Sequence, residues 1–180
     1  MSAPAFVVDA AVADVERPTI AAFARQLGDC LRHASGDRWS VSTVLHDRVD
    51  ALAPGDGARI VVASMKTELH GPGDPATILA RWRAKLEPLS TASAAVLLVT
   101  IVRSVRGAPF ARAGDAEPLI ERIRRLDRCA IDLSHATGAA VADLDRVFAH
   151  FGTRPLQCDY RLQGAAAAEV GAWTLLATLV

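Results

Sequence analysis

Four polar residues whose types and spacing could support acyl-group chemistry lie close together in the chain. Alternate positions of one segment are occupied by Ser64, Lys66, Glu68 and His70. A serine two residues before a lysine can act as a nucleophile whose proton is taken by the amine. His70 could act as a base if Asp159 oriented its ring. A structural use is also open, in which the hydroxyl satisfies loop amides and the charged side chains face solvent.

The elements that would position these residues can be predicted from apolar patterning. Short apolar runs predict strands, and apolar residues at helical spacing predict helices between them. The predicted strands cover Ala5 to Val8, Trp39 to Thr43, Ile60 to Val62, Ala94 to Val102 and Val141 to Leu144. Helices are predicted from Pro18 to Ser35, from His46 to Ala53, from Pro75, from Pro118 to Gly138 and from Gly164 to Val180. The basic run around Arg122 is interpreted as a solvated helix face.

This alternation of strands and helices predicts an α/β fold. A parallel sheet of about five strands with helices on both faces forms a three-layer α/β/α sandwich, here one domain over residues 1–180. Ligands of such folds lie beyond the carboxyl ends of the strands. That rule selects Asp9 to Glu16, Ser64 to Asp74, Arg103 to Arg106, Asp143 to Asp145 and Gln157 to Gln163. The binding residues predicted there are Asp14, Glu68, Arg103, Tyr160 and Arg161.

Composition narrows the classes of function. A chain of 180 residues with 51% hydrophobic content can fill one core. The 20 basic and 20 acidic residues cancel, which argues against a nucleic-acid partner and against a polybasic membrane surface. The longest apolar stretch is far shorter than the ~20 residues of a membrane span. Met1 to Val15 lacks the basic region of a secretory signal, so a soluble, cytoplasmic protein is predicted.

The sequence lacks the common motifs of nucleotide sites, metal sites and α/β-hydrolase nucleophiles. It contains no P-loop, no glycine-rich dinucleotide fingerprint, no GxSxG elbow and no HExxH zinc motif. Its cysteines, Cys30, Cys129 and Cys158, form no CxxC pair, so neither a zinc site nor a dithiol redox site is indicated. No cofactor and no metal are therefore predicted.

Three blocks of the chain lie at places where a known family carries its motifs. They are Val7-Val8-Asp9-Ala10 after the first strand, Met65-Lys66-Thr67-Glu68 after the third, and Asp159-Tyr160-Arg161-Leu162 before the last helix. In place and order they resemble the Gly-Asp-Ser, Gly-x-Asn-Asp and Asp-x-x-His blocks of the SGNH/GDSL hydrolases. The resemblance implies an SGNH-like fold and descent from ester or acetyl-ester hydrolases, which often act on acylated carbohydrate.

Under this resemblance the usual catalytic residues are replaced. Ala10 stands at the position of the nucleophilic serine, and a methyl group cannot attack a carbonyl. Leu162 stands at the position of the general base and accepts no proton. The oxyanion-hole glycine and asparagine are replaced by Met65 and Thr67. The ordinary serine-ester mechanism is therefore not expected.

Three interpretations of function remain open, the third of which is a small transferase with an unfamiliar phosphate loop. In the first, a degenerate SGNH-like domain binds a small molecule or a carbohydrate ester, or uses a rebuilt site as an ester hydrolase or acyl transferase. The candidate catalytic residues of a rebuilt site are Asp9, Ser64, Lys66, His70 and Asp159. In the second, the chain is a flavodoxin-like interaction module without catalysis. Apolar residues of the last helix, such as Trp173, are compatible with a homo-oligomer.

Overall fold

The computed structural model describes residues 5–36, 39–55, 57–102, 116–150 and 164–179. Its strands are β1 (Ala5–Ala11), β2 (Ser40–His46), β3 (Ala58–Ser64), β4 (Ala95–Val99) and β5 (Ala140–Ala142). Its α-helices are α1 (Arg17–Ser35), α2 (Pro75–Ala92), α3 (Ala116–Thr137), α4 (Leu144–His150) and α5 (Ala165–Thr178). Short 3₁₀ helices after β1, β2 and β3 cover Asp14–Glu16, Val49–Ala51 and Met65–Glu68.

The strands form one parallel sheet in the order β2-β1-β3-β4-β5. The chain runs from β1 outward to β2 and then returns across β1 to β3, so the direction of winding reverses between β1 and β3. Helices α1, α4 and α5 pack on one face of the sheet. Helices α2 and α3 pack on the other face. The predicted three-layer α/β/α fold is confirmed.

Apart from Asp9 and Arg59, the central strands β1 and β3 are largely apolar on both faces, because both faces are covered by helices. In β1, Val8 and Ala10 pack towards α1 and α5, whereas Ala11 packs towards α2 and α3. Runs of small and β-branched residues suit a strand buried on both sides. None of the helices within the described ranges is long and apolar enough to cross a bilayer.

Two local predictions are wrong. The predicted helix from His46 to Ala53 does not form, because His46 continues the ladder and lies opposite Ala11 of β1. Only Val49–Ala51 then form a 3₁₀ turn. The first strand also continues past Val8 to Ala11, because it is paired on both sides over this length.

Candidate functional site

The candidate site lies where the order of the sheet reverses, since open parallel sheets bind ligands beyond the carboxyl ends of strands at that point. Strands β1 and β3 are hydrogen-bonded neighbours there. Residues 12–16 follow β1, and residues 64–68 include the end of β3 and the 3₁₀ helix after it. We call these two segments the switch-point site.

A buried carboxyl and a buried hydroxyl lie at the centre of the switch-point site. Glu16 is 3% exposed and Ser64 is 0% exposed. The Ser64 hydroxyl donates to Glu16 Oε1 at 2.8 Å, and the Ala13 N–H donates to Oε2 at 2.9 Å. The Lys66 N–H donates to Ser64 Oγ at 3.2 Å. The Ser64 hydroxyl therefore donates one hydrogen bond and accepts another within the protein.

The environment of Glu16 disfavours its charged form. Burial raises the pKa of Glu16 above its ordinary value, and this effect exceeds the opposing effects of the Lys66 charge and of the hydrogen bonds from Ser64 and Ala13. Sequence reasoning included Glu16 only as the end of a segment and assigned it no role. The sequence does contain a pattern that could have indicated a role for Glu16. A glutamate in the first turn of a helix often accepts a hydrogen bond from a free backbone N–H before the helix, as Glu16 does from Ala13.

Met65 and Thr67, the residues that the resemblance predicts at the oxyanion-hole positions, are engaged within the protein. Met65 is fully buried in the core beneath α2 and α3. The Thr67 hydroxyl donates to the Ser64 carbonyl at 2.9 Å. Neither side chain therefore presents a spare hydrogen-bond donor to a ligand.

Glu68 is buried, whereas a purely structural use of the segment from Ser64 to His70 predicts that its charged side chains face solvent. Its Oε1 accepts a hydrogen bond from the Trp82 indole N–H at 3.0 Å and another from Arg81. Arg122 of α3 donates to the backbone carbonyls of residues 68, 69, 71 and 73 at 2.8 to 3.1 Å. The loop after β3 is therefore fixed by α2 and α3, and Arg122 is not on a purely solvated face.

Asp9 lies inside β1, two residues before the end of the strand. It is buried, and its carboxylate accepts hydrogen bonds from His46 Nε2 at 2.8 Å and from Arg59 at 3.0 Å. These partners come from β2 and β3, which flank β1. Both oxygens of Asp9 are thus paired within the sheet.

The other predicted site residues are dispersed. Asp14 is exposed and forms an ion pair with Arg17 at 2.9 Å. Lys66 is half-buried, and His70 is exposed. The remaining candidates lie outside the described residues: Arg103, Asp159, Tyr160 and Arg161. The pairing of His70 with Asp159 therefore stays a prediction. Among the side chains that are described, no three histidine, cysteine or acidic groups are arranged to hold a metal.

Solved structures with the same architecture include esterases. The acetyl xylan esterase AlAXEase superposes with a TM-score of 0.67 at 12% identity, over 97% of this chain and 100% of its own. A protein of Slackia heliotrinireducens named as an SGNH hydrolase has a TM-score of 0.61 at 16% identity, over 99% and 100%. The chain has an SGNH-like fold. An acetylxylan esterase from Geobacillus stearothermophilus gives a TM-score of 0.63 at 12% identity, over 99% and 94%.

The SGNH-like fold is recognised by comparison of structures and not by comparison of sequences. No protein-family model matches the sequence, and no curated protein matches it either. The strand order is also the flavodoxin-like order, so the order alone does not separate the two architectures that the sequence predicted.

Proposed function

We propose that this chain is an SGNH-like protein of ester-hydrolase lineage that binds an acylated carbohydrate without hydrolysing it by the serine mechanism. The observation that supports this most directly is the complete burial of the Ser64 side chain. A nucleophilic oxygen must approach the substrate carbonyl, and the Ser64 side chain has no solvent-accessible surface. Names of structural neighbours, which include acetyl xylan esterases, supply the substrate class.

The segment after β1 offers no replacement nucleophile. The SGNH block Gly-Asp-Ser is expected at the end of the first strand, and β1 ends at Ala11. Aligned as in the sequence analysis, the serine position holds Ala10. Aligned instead at the end of β1 as it is in the structure, Ala13-Asp14-Val15 follows, and Val15 occupies the serine position. Neither side chain carries a hydroxyl.

A rebuilt Ser64 site is the alternative within the same lineage. Glu16 accepts the Ser64 hydrogen bond and has a raised pKa, which are properties of a general base. Against this, both side chains are buried, and the side chains of Thr67 and Met65 provide no free donor for an oxyanion. We therefore assign the Glu16–Ser64 pair to holding β1 and β3 together.

Turnover measurements test the loss of hydrolysis. We expect no hydrolysis of p-nitrophenyl acetate above the buffer rate, and no acetate release from acetylated xylo-oligosaccharide. Hydrolysis that disappears in Ser64→Ala, but not in the surface variant Glu87→Gln, would show that the rebuilt site is active and would overturn the proposal.

Calorimetric titration tests the binding. We expect acetylated xylo-oligosaccharide to bind more tightly than its deacetylated form, because only the former carries the acyl group. Lys66→Ala should weaken this binding because Lys66 is half-buried at the switch-point site. Glu87→Gln, at the far end of α2 from that site, should not. Absence of binding to both sugars would instead favour the interaction-module interpretation.

A further inference from the structure

Among the described strands, β2 forms an edge of the sheet and is paired on one side by β1. Its seven residues, Ser40–His46, include no charged residue, proline or glycine. Val44 and Leu45 are 45% and 38% exposed, and they are two of the large exposed hydrophobic residues among those described. Edge strands of monomeric proteins are usually protected by charge, proline or a bulge. This strand has no such protection within its length.

The backbone of β2 shows which groups face outward. The His46 carbonyl accepts a hydrogen bond from the Val12 N–H at 3.0 Å, so His46 directs its backbone towards β1. Alternate residues of a strand in a parallel sheet direct their backbone groups to opposite edges. The outward-facing residues are therefore Val41, Thr43 and Leu45, which together present three N–H donors and three carbonyl acceptors.

We propose that a second copy of this chain pairs with β2 in antiparallel orientation, about a two-fold axis at Thr43. In this register Thr43 lies opposite the partner's Thr43, and Val41 lies opposite the partner's Leu45 at two symmetric places. All three outward-facing residues then form hydrogen-bonded pairs, with two bonds in each pair. The two five-stranded sheets become one continuous sheet of ten strands.

The side chains of β2 are self-complementary in this register, as a two-fold interface requires. On the α1 face of the sheet, Leu45 pairs with Val41 and the threonines pair with each other, both of which are favourable cross-strand combinations. On the opposite face Val44 lies opposite Ser42. The strand has no acidic residue, lysine or arginine, and His46 lies opposite the partner's Ser40, so pairing brings no like charges together. This self-match favours a second copy over an unrelated strand.

The area of the edge is sufficient for a modest dimer. Seven residues at ~3.4 Å each make an edge about 24 Å long. Helix α1 adds depth, because Gly28 lets it lie close over β2: a Cβ on Gly28 would be 3.5 Å from Val41 Cγ2. With sheet and helix layers of about 10 Å each, each copy buries on the order of 500 Å². The total of about 1,000 Å² is below the standard size of about 1,200 Å² or more and is typical of a weak dimer.

Sedimentation velocity across protein concentrations tests the dimer. We expect a dimer that Thr43→Lys weakens about tenfold or more, because two ammonium groups would then face each other at the axis. Ile131→Lys places the same charge on an exposed residue of α3 and should leave the dimer intact. A wild-type monomer at every concentration up to the millimolar range would overturn the proposal. So would a dimer that Trp173→Lys disrupts and Thr43→Lys does not.

Hydrogen exchange of the wild-type protein tests the same contact without a variant. The amides of Val41, Thr43 and Leu45 should exchange slowly at dimer-forming concentration and quickly on dilution, because only edge pairing removes them from water. A dimer in which these amides exchange quickly would contradict the β2 assignment. The measurement is independent of the esterase and binding assays, so its failure would leave the proposed function unaffected.

Discussion

Replacing the buried carboxyl of the switch-point site tests whether its charge opposes folding. Burial raises the pKa of Glu16 above its ordinary value of 4.5. A group with a raised folded pKa holds its proton more tightly in the folded state, so its stabilisation is complete below about pH 4.5. That stabilisation is lost as the pH rises through the folded pKa. Glu16→Gln does not ionise, and its amide can accept from Ala13 and donate to Ser64 Oγ.

The size of the effect follows from linkage. Between the unfolded and the folded pKa of Glu16, the folded wild-type protein binds up to one proton more than the unfolded protein. Its free energy of unfolding therefore falls by up to about 1.4 kcal/mol per pH unit in that range. Urea unfolding followed by tryptophan fluorescence at pH 4.5, 5.5, 6.5 and 7.5 measures this. We expect the advantage of Glu16→Gln over wild type to grow with pH and then level off. Glu121→Gln, in an exposed pair with Arg125, should follow the wild type. Parallel curves for wild type and Glu16→Gln would refute the reasoning.

Two further predictions concern packing around the sheet. A Cβ at Gly171 of α5 would be 2.7 Å from Thr19 Cγ2, so Gly171→Ala should lower stability by about 1–3 kcal/mol in thermal unfolding. Adding Thr19→Ser, which removes that methyl group, should restore most of the loss; no restoration would mean that the strain lies elsewhere. Arg122→Met removes the donors to four loop carbonyls and should cost about 2 kcal/mol in urea unfolding. Unchanged stability would show that water replaces those donors at no cost.

The fold was predictable because its elements carry local signals. Pro75 after Asp74 marks the start of α2, and the Asp74 carboxylate does accept hydrogen bonds from the first turn. The β-branched run from Ile60 to Val62 marks the central strand β3. The end of β2 was not predictable, because His46 is held in the strand by pairing with β1, and a local pattern does not reveal the partner.

The position of the candidate site follows from the strand order, which sets the carboxyl ends of β1 and β3 side by side and makes Ser64 a candidate. The hydrogen-bond partner of Ser64 was not predictable. Ser64 and Glu16 are 48 positions apart in the chain, and no sequence pattern around either residue indicates that they are hydrogen-bonded. Glu68 and Arg122 were misjudged for the same reason. Both are charged residues of the types usually found at the surface, yet α2 buries the Glu68 carboxyl, and the loop after β3 engages the Arg122 guanidinium through its carbonyls.

The polar groups at the switch point are hydrogen-bonded to one another, whereas a serine hydrolase needs groups that remain free for its substrate. A catalytic serine must keep an exposed oxygen and a base that can move its proton, and such incompletely paired groups usually lower stability. Here Ser64 donates to Glu16, Glu16 also accepts from Ala13, and Thr67 closes the turn on the Ser64 carbonyl. The Ser64–Glu16 bond joins the end of β3 to the turn after β1, the Ala13–Glu16 bond lies within that turn, and the Thr67 bond joins the end of β3 to its own turn. Exposing the Ser64 oxygen would mean giving up at least one of these bonds, which supports the proposal that Ser64 serves the β1–β3 junction and not ester hydrolysis.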